Sequence, residues 1–205
     1  MGRPPSGVGV CQCGRIVNAL FAPFTPDASG GPLAGVVVRP GVADDLPAIA
    51  DLAAQRECGD LADRLAVHGR RFADERQRLF VAEHDDAIVG YAWASWLTPV
   101  ADGGRRAPDG WYLSGIVLAP ALRRRGIGRR LTEARVAWVL GHDDHIYYVV
   151  SASNGPSRTL HAELGFREIS TDFVVPGVVF TNADGILCQL DKRPDADVID
   201  LARRR

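Results

Sequence analysis

From Val36 onward the apolar positions switch repeatedly between short β-branched runs and helical spacings. Val36-Val37-Val38-Arg39-Pro40 is brief and closes at a proline, which predicts a first strand. Asp44-Asp45 ahead of Leu46, Ile49, Leu52 and Ala53 predicts an acid-led amphipathic helix. Leu61, Leu65, Val67 and Phe72 predict a second helix. The runs Leu79-Phe80-Val81-Ala82-Glu83 and 88–94, separated by His84-Asp85-Asp86-Ala87, predict a β-hairpin. After a polar loop over 98–110, residues 111–118 read as a strand and 128–140 as a helix with Leu131, Ala134, Ala137 and Trp138 inward. Strands at 146–151, 173–180 and 185–190 and a helix after Asn154 complete the order β-α-α-β-β-β-α-β-α-β-β, a mixed α/β (α+β) domain.

The ends differ from this middle. Residues 1–34 hold Gly, Pro and Ser clusters such as Pro4-Pro5-Ser6 and Ser29-Gly30-Gly31-Pro32, and they are expected to form a flexible arm. The domain is expected at 35–191, with a polar tail at 192–205. Met1-Gly2 with Ser6 fits a myristoylation pattern formally, but Pro4 and Pro5 and the lack of a nearby basic run argue against it. No secretory signal is expected, since the early apolar runs are broken by Arg15 and Asn18.

The most informative segment follows the predicted strand 111–118: Pro120-Ala121-Leu122-Arg123-Arg124-Arg125-Gly126-Ile127-Gly128-Arg129-Arg130-Leu131. Gly126 and Gly128 let the backbone approach phosphate oxygens, and amide N–H groups at a helix start attract anions. The arginines add forked, charge-assisted hydrogen bonds. A dinucleotide fingerprint would need glycine where Leu131 stands, and a nucleoside-triphosphate loop would need Gly-Lys-Ser/Thr. What remains is Arg-x-x-Gly-x-Gly at Arg123, Gly126 and Gly128. Further on, Asn154-Gly155-Pro156-Ser157-Arg158-Thr159-Leu160-His161-Ala162-Glu163-Leu164-Gly165-Phe166 places Pro156 early in a helix, Ser157, Leu160, His161 and Leu164 on one side of it, and Gly165 at its left-handed end.

Together these segments resemble the two CoA-proximal motifs of the GNAT superfamily of N-acyltransferases, and the resemblance spans about Val36 to Leu190. It implies a GNAT-like mixed, mostly antiparallel sheet whose fourth and fifth strands splay to admit the pantetheine arm of acetyl-CoA, the co-substrate. Backbone groups of Ile116, Val117 and Leu118 would then pair with the pantetheine amides. Arg123, Arg124, Arg125, Gly126, Ile127, Gly128 and Arg129 would cradle the pyrophosphate, with Asn154 and Ser157 beside them. The implied activity is acetyl transfer to a primary amine by direct attack in a ternary complex, with an N–H of Val117 or Leu118 holding the oxyanion. His161 stands where the commoner family pattern has a tyrosine acid for the departing thiolate, so it is either that acid or a helix histidine packed under CoA. The stretch around Trp111 to Leu131 and the Leu160-His161 pair look most like antibiotic- or amino-acid-type members, including the aminoglycoside and phosphinothricin groups. A protein N-terminus or lysine as acceptor, and a non-catalytic acyl-CoA-binding module, stay open as alternatives.

Composition narrows the field. With 205 residues, 46% of them hydrophobic and 24% charged, the chain can bury one sizeable core. It has no apolar run of about 18 residues, and its formal net charge of −1 gives no general attraction to nucleic acid or anionic membrane. Neither partner is expected, and an arginine-rich RNA-binding reading lacks an aromatic stacking motif. Lys192 is the only lysine, in a polar segment, which argues against Schiff-base chemistry. Cys11, Cys13, Cys58 and Cys188 form no disulfide framework or zinc spacing, so a reducing cytoplasm is expected. His142-Asp143-Asp144-His145 reads as a polar loop rather than a metal site. For the base, Glu83 comes first and Asp109 second, while Glu57 and Asp60 can attract a cationic acceptor and Trp93, Trp96, Trp111 and Tyr112 can wall its pocket. A homodimer stays open.

Overall fold

The computed structural model describes residues 9–10, 16–17, 31–56, 60–100, 105–175, 178, 180 and 184–192. Its elements are β1 (Val37–Pro40), α1 (Leu46–Arg56), α2 (Leu61–Phe72), β2 (Gln77–His84), β3 (Ala87–Leu97), β4 (Gly110–Leu118), α3 (Ile127–Leu140), β5 (His145–Ser151), α4 (Gly155–Glu163), β6 (Arg167–Ser170) and β7 (Gly185–Asp191). The order of elements is the one the sequence predicts. Apart from a two-stranded antiparallel pairing of Gly9–Val10 with Ile16–Val17, the strands β1 to β7 form one seven-stranded sheet in the order β1-β2-β3-β4-β5-β7-β6, antiparallel except for β4 and β5.

That parallel pair creates the functional opening. β4 meets β5 only at Trp111–Ile146 and Tyr112–Tyr147. Beyond these pairs β4 follows β3 as far as Leu118, whereas β5 follows β7 as far as Ser151. The divergence begins where Gly115, at φ +47°, bulges out of the β3–β4 ladder between Ser114 and Ile116. Such an extra residue bends and twists its strand.

Helices cover both faces. Ile49, Leu52 and Ala53 of α1 pack on Leu79, Val81, Tyr91, Trp93 and Val117. On the opposite face Ile127 and Leu131 of α3 meet Phe80, Ala82 and Ala92, and Val139 joins Leu113, Ile146, Tyr148 and Phe166.

Two expectations need correction. Among the described residues of 173–180 no strand forms; the strand before β7 is instead β6, an edge strand, and Phe173, Val175 and Val178 pack over Tyr112, Tyr147 and Leu187. Their apolar character reflects covering a sheet face, whereas β6 has only one paired edge and keeps a polar sequence. In α3, Ala137 is exposed, and the buried stripe is Ile127, Leu131, Thr132, Arg135 and Val139. The helix expected from Leu61, Leu65, Val67 and Phe72 forms as α2, with Leu61, Leu65 and Val67 facing outward and His68 as the buried residue.

Candidate functional site

Between the N-termini of α3 and α4 and the parted end of β4 lies a cavity of about 660 Å³. Ile116 and Leu118 form its β4 wall, Arg123, Arg124, Gly126, Gly128 and Arg129 its rim at α3, and Pro156, Ser157, Leu160, His161 and Glu163 its α4 side. Gly126 is the N-cap of α3 at φ +80°, a conformation that costs an ordinary residue about 1–2 kcal/mol. It turns the chain so that the first N–H groups of α3 lack acceptors within the helix and face an anion site. A Cβ at Gly128 would meet only Leu118 Cδ1, at 3.9 Å, so no neighbouring protein atom demands glycine there. The empty side of Gly128 is the cavity.

The sequence-predicted residues divide. Ile116, Leu118, Arg123, Arg124, Gly126, Gly128, Arg129, Ser157 and His161 come together around the cavity. Ile127 and Val117 do not line it, because their side chains are buried at 1% and 6% exposure in the cores on opposite faces. The carbonyl of Arg125 accepts from Leu33 N–H at 3.1 Å, which ties the loop to the segment preceding β1. Arg129 is held at the cavity mouth by an ion pair with Glu163. Asn154 caps α4, its Oδ1 accepting from Ser157 N–H at 3.2 Å. Pro156, Thr159, Leu160 and Glu163 also line the cavity, and their mutual three- and four-residue spacings on one helix side are the sequence signal for them.

Neither carboxylate chosen as base lines the cavity. Glu83 accepts from Arg39 Nε at 3.1 Å, and Arg39 also binds Asp45 through both Nη atoms at 2.8 and 2.9 Å. This pairing pulls Asp45 below its ordinary carboxylate range, chiefly through the hydrogen bond from Arg39. Asp109 precedes β4 at its far end and pairs with Arg106 at 2.6 Å. Asp60 accepts from Ala62 N–H at 2.9 Å as the N-cap of α2, and Glu57 lies outside the described residues. Trp111 meets both Trp96 and Trp138 edge-on on the α3 side, and Tyr112 donates to Pro108 O at 2.6 Å. Trp93 is buried beneath α2.

His161 is 5% exposed, stacks on Tyr148 at 3.7 Å between ring centroids and meets Phe166 edge-on. Its Nδ1 lies 2.8 Å from Ser157 O. A carbonyl only accepts, so Nδ1 carries the proton, and in the neutral ring Nε2 is an acceptor. Burial pushes the His161 pKa down to about 4, partly offset by the Ser157 bond and reinforced by Arg135. Arg135 is fully buried, donating to Trp93 O at 3.0 Å, Leu131 O and Thr132 Oγ1, and burial pulls its pKa down to about 9.

Other candidates resolve separately. His142 contacts Trp138 O, and His145 contacts Asp191, so the two rings serve different partners. Among the described residues no group of three or more His, Cys, Asp or Glu is placed to hold a metal ion. Cys188 is buried, and Cys11, Cys13 and Cys58 lie outside the described residues. No described helix is long and apolar enough to cross a membrane.

Comparison with known proteins agrees with this geometry. Residues 46–166 match the model of the acetyltransferase (GNAT) family. The chain is 30% identical over 125 residues to the N-alpha-acetyltransferase RimI of Mycobacterium tuberculosis, covering 61% of this chain and 74% of that protein. It is 24% identical over 196 residues to the mycothiol acetyltransferase of Acidothermus cellulolyticus, covering 81% of this chain and 54% of that protein, so it spans about half the length of that relative. The structure of yncA from Salmonella typhimurium, which holds its cofactor acetyl-CoA, superposes with a TM-score of 0.57 at 21% identity, over 80% of this chain and 98% of that one. With the family match running from α1 through the end of α4 to Phe166, the chain belongs to the GNAT acetyltransferase family.

Proposed function

We propose that this chain transfers the acetyl group of acetyl-CoA to the primary amine of a small molecule by direct attack in a ternary complex. The observation that carries the reading is the cavity itself. It joins a left-handed glycine cap, an anion-attracting helix start and two arginines to a strand end that has left its neighbour. The residues suit acetyl-CoA: Arg123, Arg124 and the N–H groups of Gly128 and Arg129 match a pyrophosphate, and the apolar walls Ile116, Leu118 and Leu160 match an aliphatic arm. Bound there, acetyl-CoA supplies an activated acyl group.

The chain's own contribution is proximity and a polarised path. The unpaired edge of β4 beyond Tyr112 offers N–H and C=O groups to a ligand lying along it, and an N–H of Val117 or Leu118 is the oxyanion donor in this reading. The free amine forms the new C–N bond, the C–S bond breaks, the thiolate departs, and the ammonium proton passes to water. Among the described residues, Glu163 is the only carboxylate lining the cavity, and it is occupied with Arg129. His161 serves this reading as a neutral packing residue, since its proton is spent on Ser157 O. Incubation with acetyl-CoA and a pooled amine library, read by release of free CoA and by product mass, tests the proposal. Acetylated small amines support it; acetyl-CoA binding with no acetylated product in any pool refutes it.

A further inference from the structure

The second helix turns its nitrogen-bearing side inward. Arg64, His68 and Arg71 recur at four- and three-residue spacings on one stripe of α2, while Leu61, Leu65 and Val67 stand 49%, 40% and 43% exposed. An amphipathic helix that packs for stability alone shows the reverse arrangement. Across from the stripe lie Tyr91, Trp93 and Ser95 of β3 and Ser114 of β4, with Gln77 of β2 beside them.

Arg71 is the centre of this cluster. Its Nε donates to Gln77 Oε1 at 2.8 Å, and its Nη2 donates to Ser95 Oγ at 2.9 Å and Ser114 Oγ at 2.7 Å. The guanidinium carbon sits 4.6 Å from the centre of the Trp93 ring. These contacts fix the plane of the group and, among the described residues, leave Nη1 without a hydrogen bond, though not sealed from solvent. Among the described residues no carboxylate lies within ion-pair distance of Arg71. Burial pulls its pKa down to about 10, so it stays charged at neutral pH. His68, 6% exposed, has a buried Nδ1 with no partner, and its ring is pushed toward neutrality by burial and by Arg71 and Arg64. Among the described residues no anion balances the charge of Arg71, and a buried cation so placed is costly unless a ligand supplies the anion.

Its location says which ligand. Ser114 stands two residues beyond Tyr112, where β4 and β5 last pair, so Arg71, bonded to Ser114, sits beside the stretch of β4 that opens the angle between the strands. Ser114 lies on the α2 face there, whereas Ile116 and Leu118 line the cavity on the α3 face. An amine that attacks an acyl group held in the cavity arrives through that angle. We propose that Arg71, held by Gln77, Ser95 and Ser114, anchors a carboxylate of the acceptor, so that the substrates are small amines bearing an acid group, such as amino acids, and not polyamines. This rests on the acetyl-transfer reading above.

Matched acceptor sets test it: amino acids, their primary amides and their decarboxylated amines, each assayed with acetyl-CoA and the full chain by product mass. Loss of a charge-assisted pair predicts kcat/KM about 10- to 100-fold higher for the acids than for the amides or amines. Arg71→Gln should erase that preference through KM, with acetyl-CoA affinity unchanged, and Arg71→Lys should restore part of it. Amides or amines acetylated as well as acids, or an Arg71→Gln protein that keeps the preference, would overturn the assignment. A readout independent of turnover and of the variant's folding is the thermal shift of the CoA-loaded wild-type protein with N-acetylamino acids against their amides. Stabilisation by the carboxylates alone supports the anchor, and equal or absent shifts reject it. Failure of every amine to react, with carboxylate-specific stabilisation intact, would instead count against acetyl transfer and leave the anion site standing.

Discussion

Replacing Gly128 with Val separates binding from folding at the phosphate loop. Within the protein a Cβ at this position meets only Leu118 Cδ1, at 3.9 Å, and Gly128 is the second residue of α3, where Val gains a few tenths of a kcal/mol in helix propensity over Gly. The fold should therefore be unaffected. The added branches enter the cavity between the helix start and the ligand. A hydrogen bond from a backbone N–H to a charged phosphate contributes about 1.5–3 kcal/mol, so losing one weakens binding by roughly 10- to 150-fold in Kd, and losing a second weakens it further. Gly126→Val is the contrasting control. At φ +80° it should cost about 1–2 kcal/mol of stability and lower Tm by a few degrees. Calorimetric titration with acetyl-CoA beside thermal melting reads both effects. A folded Gly128→Val protein with wild-type affinity would remove the pyrophosphate from this loop.

His161→Phe should keep kcat within about threefold of wild type, because a ring that donates to Ser157 O gives no proton to the thiolate; a loss of tenfold or more at unchanged acetyl-CoA affinity would reinstate the acid role. The folded His161 pKa of about 4 lies below its ordinary 6.5, so the folded state binds fewer protons than the unfolded one. Stability from this group is complete above about pH 6.5 and is lost as pH falls toward 4, by up to about 3 kcal/mol, so wild-type Tm should drop more steeply than that of His161→Phe over this window. Arg135→Met should fold with stability within about 1 kcal/mol of wild type, since a buried cation gives way readily to an apolar side chain of similar reach, and the His161 pKa measured by NMR should rise. An unmoved His161 titration would show that Arg135 does not act on the ring.

What the sequence reveals and what it hides follow from range. The loop at Arg123 to Gly128 and the helix from Asn154 to Gly165 are legible because caps, turn glycines and helix starts are set by residues a few positions apart. No local pattern announces that Glu83 and Asp109 pair with Arg39 and Arg106 or that both stand away from the cavity lining. β6 is hidden because an edge strand with sequence Arg-Glu-Ile-Ser lacks an apolar face, while the stretch beginning at Phe173 imitates a strand by covering one. The helix 61–72 is legible in its apolar spacing, but the side it turns inward is not. Its leucines fit a buried stripe, and only the sheet, by placing Tyr91, Trp93 and Ser114 opposite Arg71, shows that the polar side faces in.

The central claim is that the acetyl group passes straight from CoA in the cavity to an amine. Mass spectrometry of intact protein, CoA and amine during one reaction tests this most directly. The account predicts one acetylated amine for each CoA released, with the protein's own mass unchanged throughout and the rate falling in step with acetyl-CoA affinity in Gly128→Val. Acetyl accumulating on the protein before product forms, or bound acetyl-CoA with no acetylated amine, would contradict it.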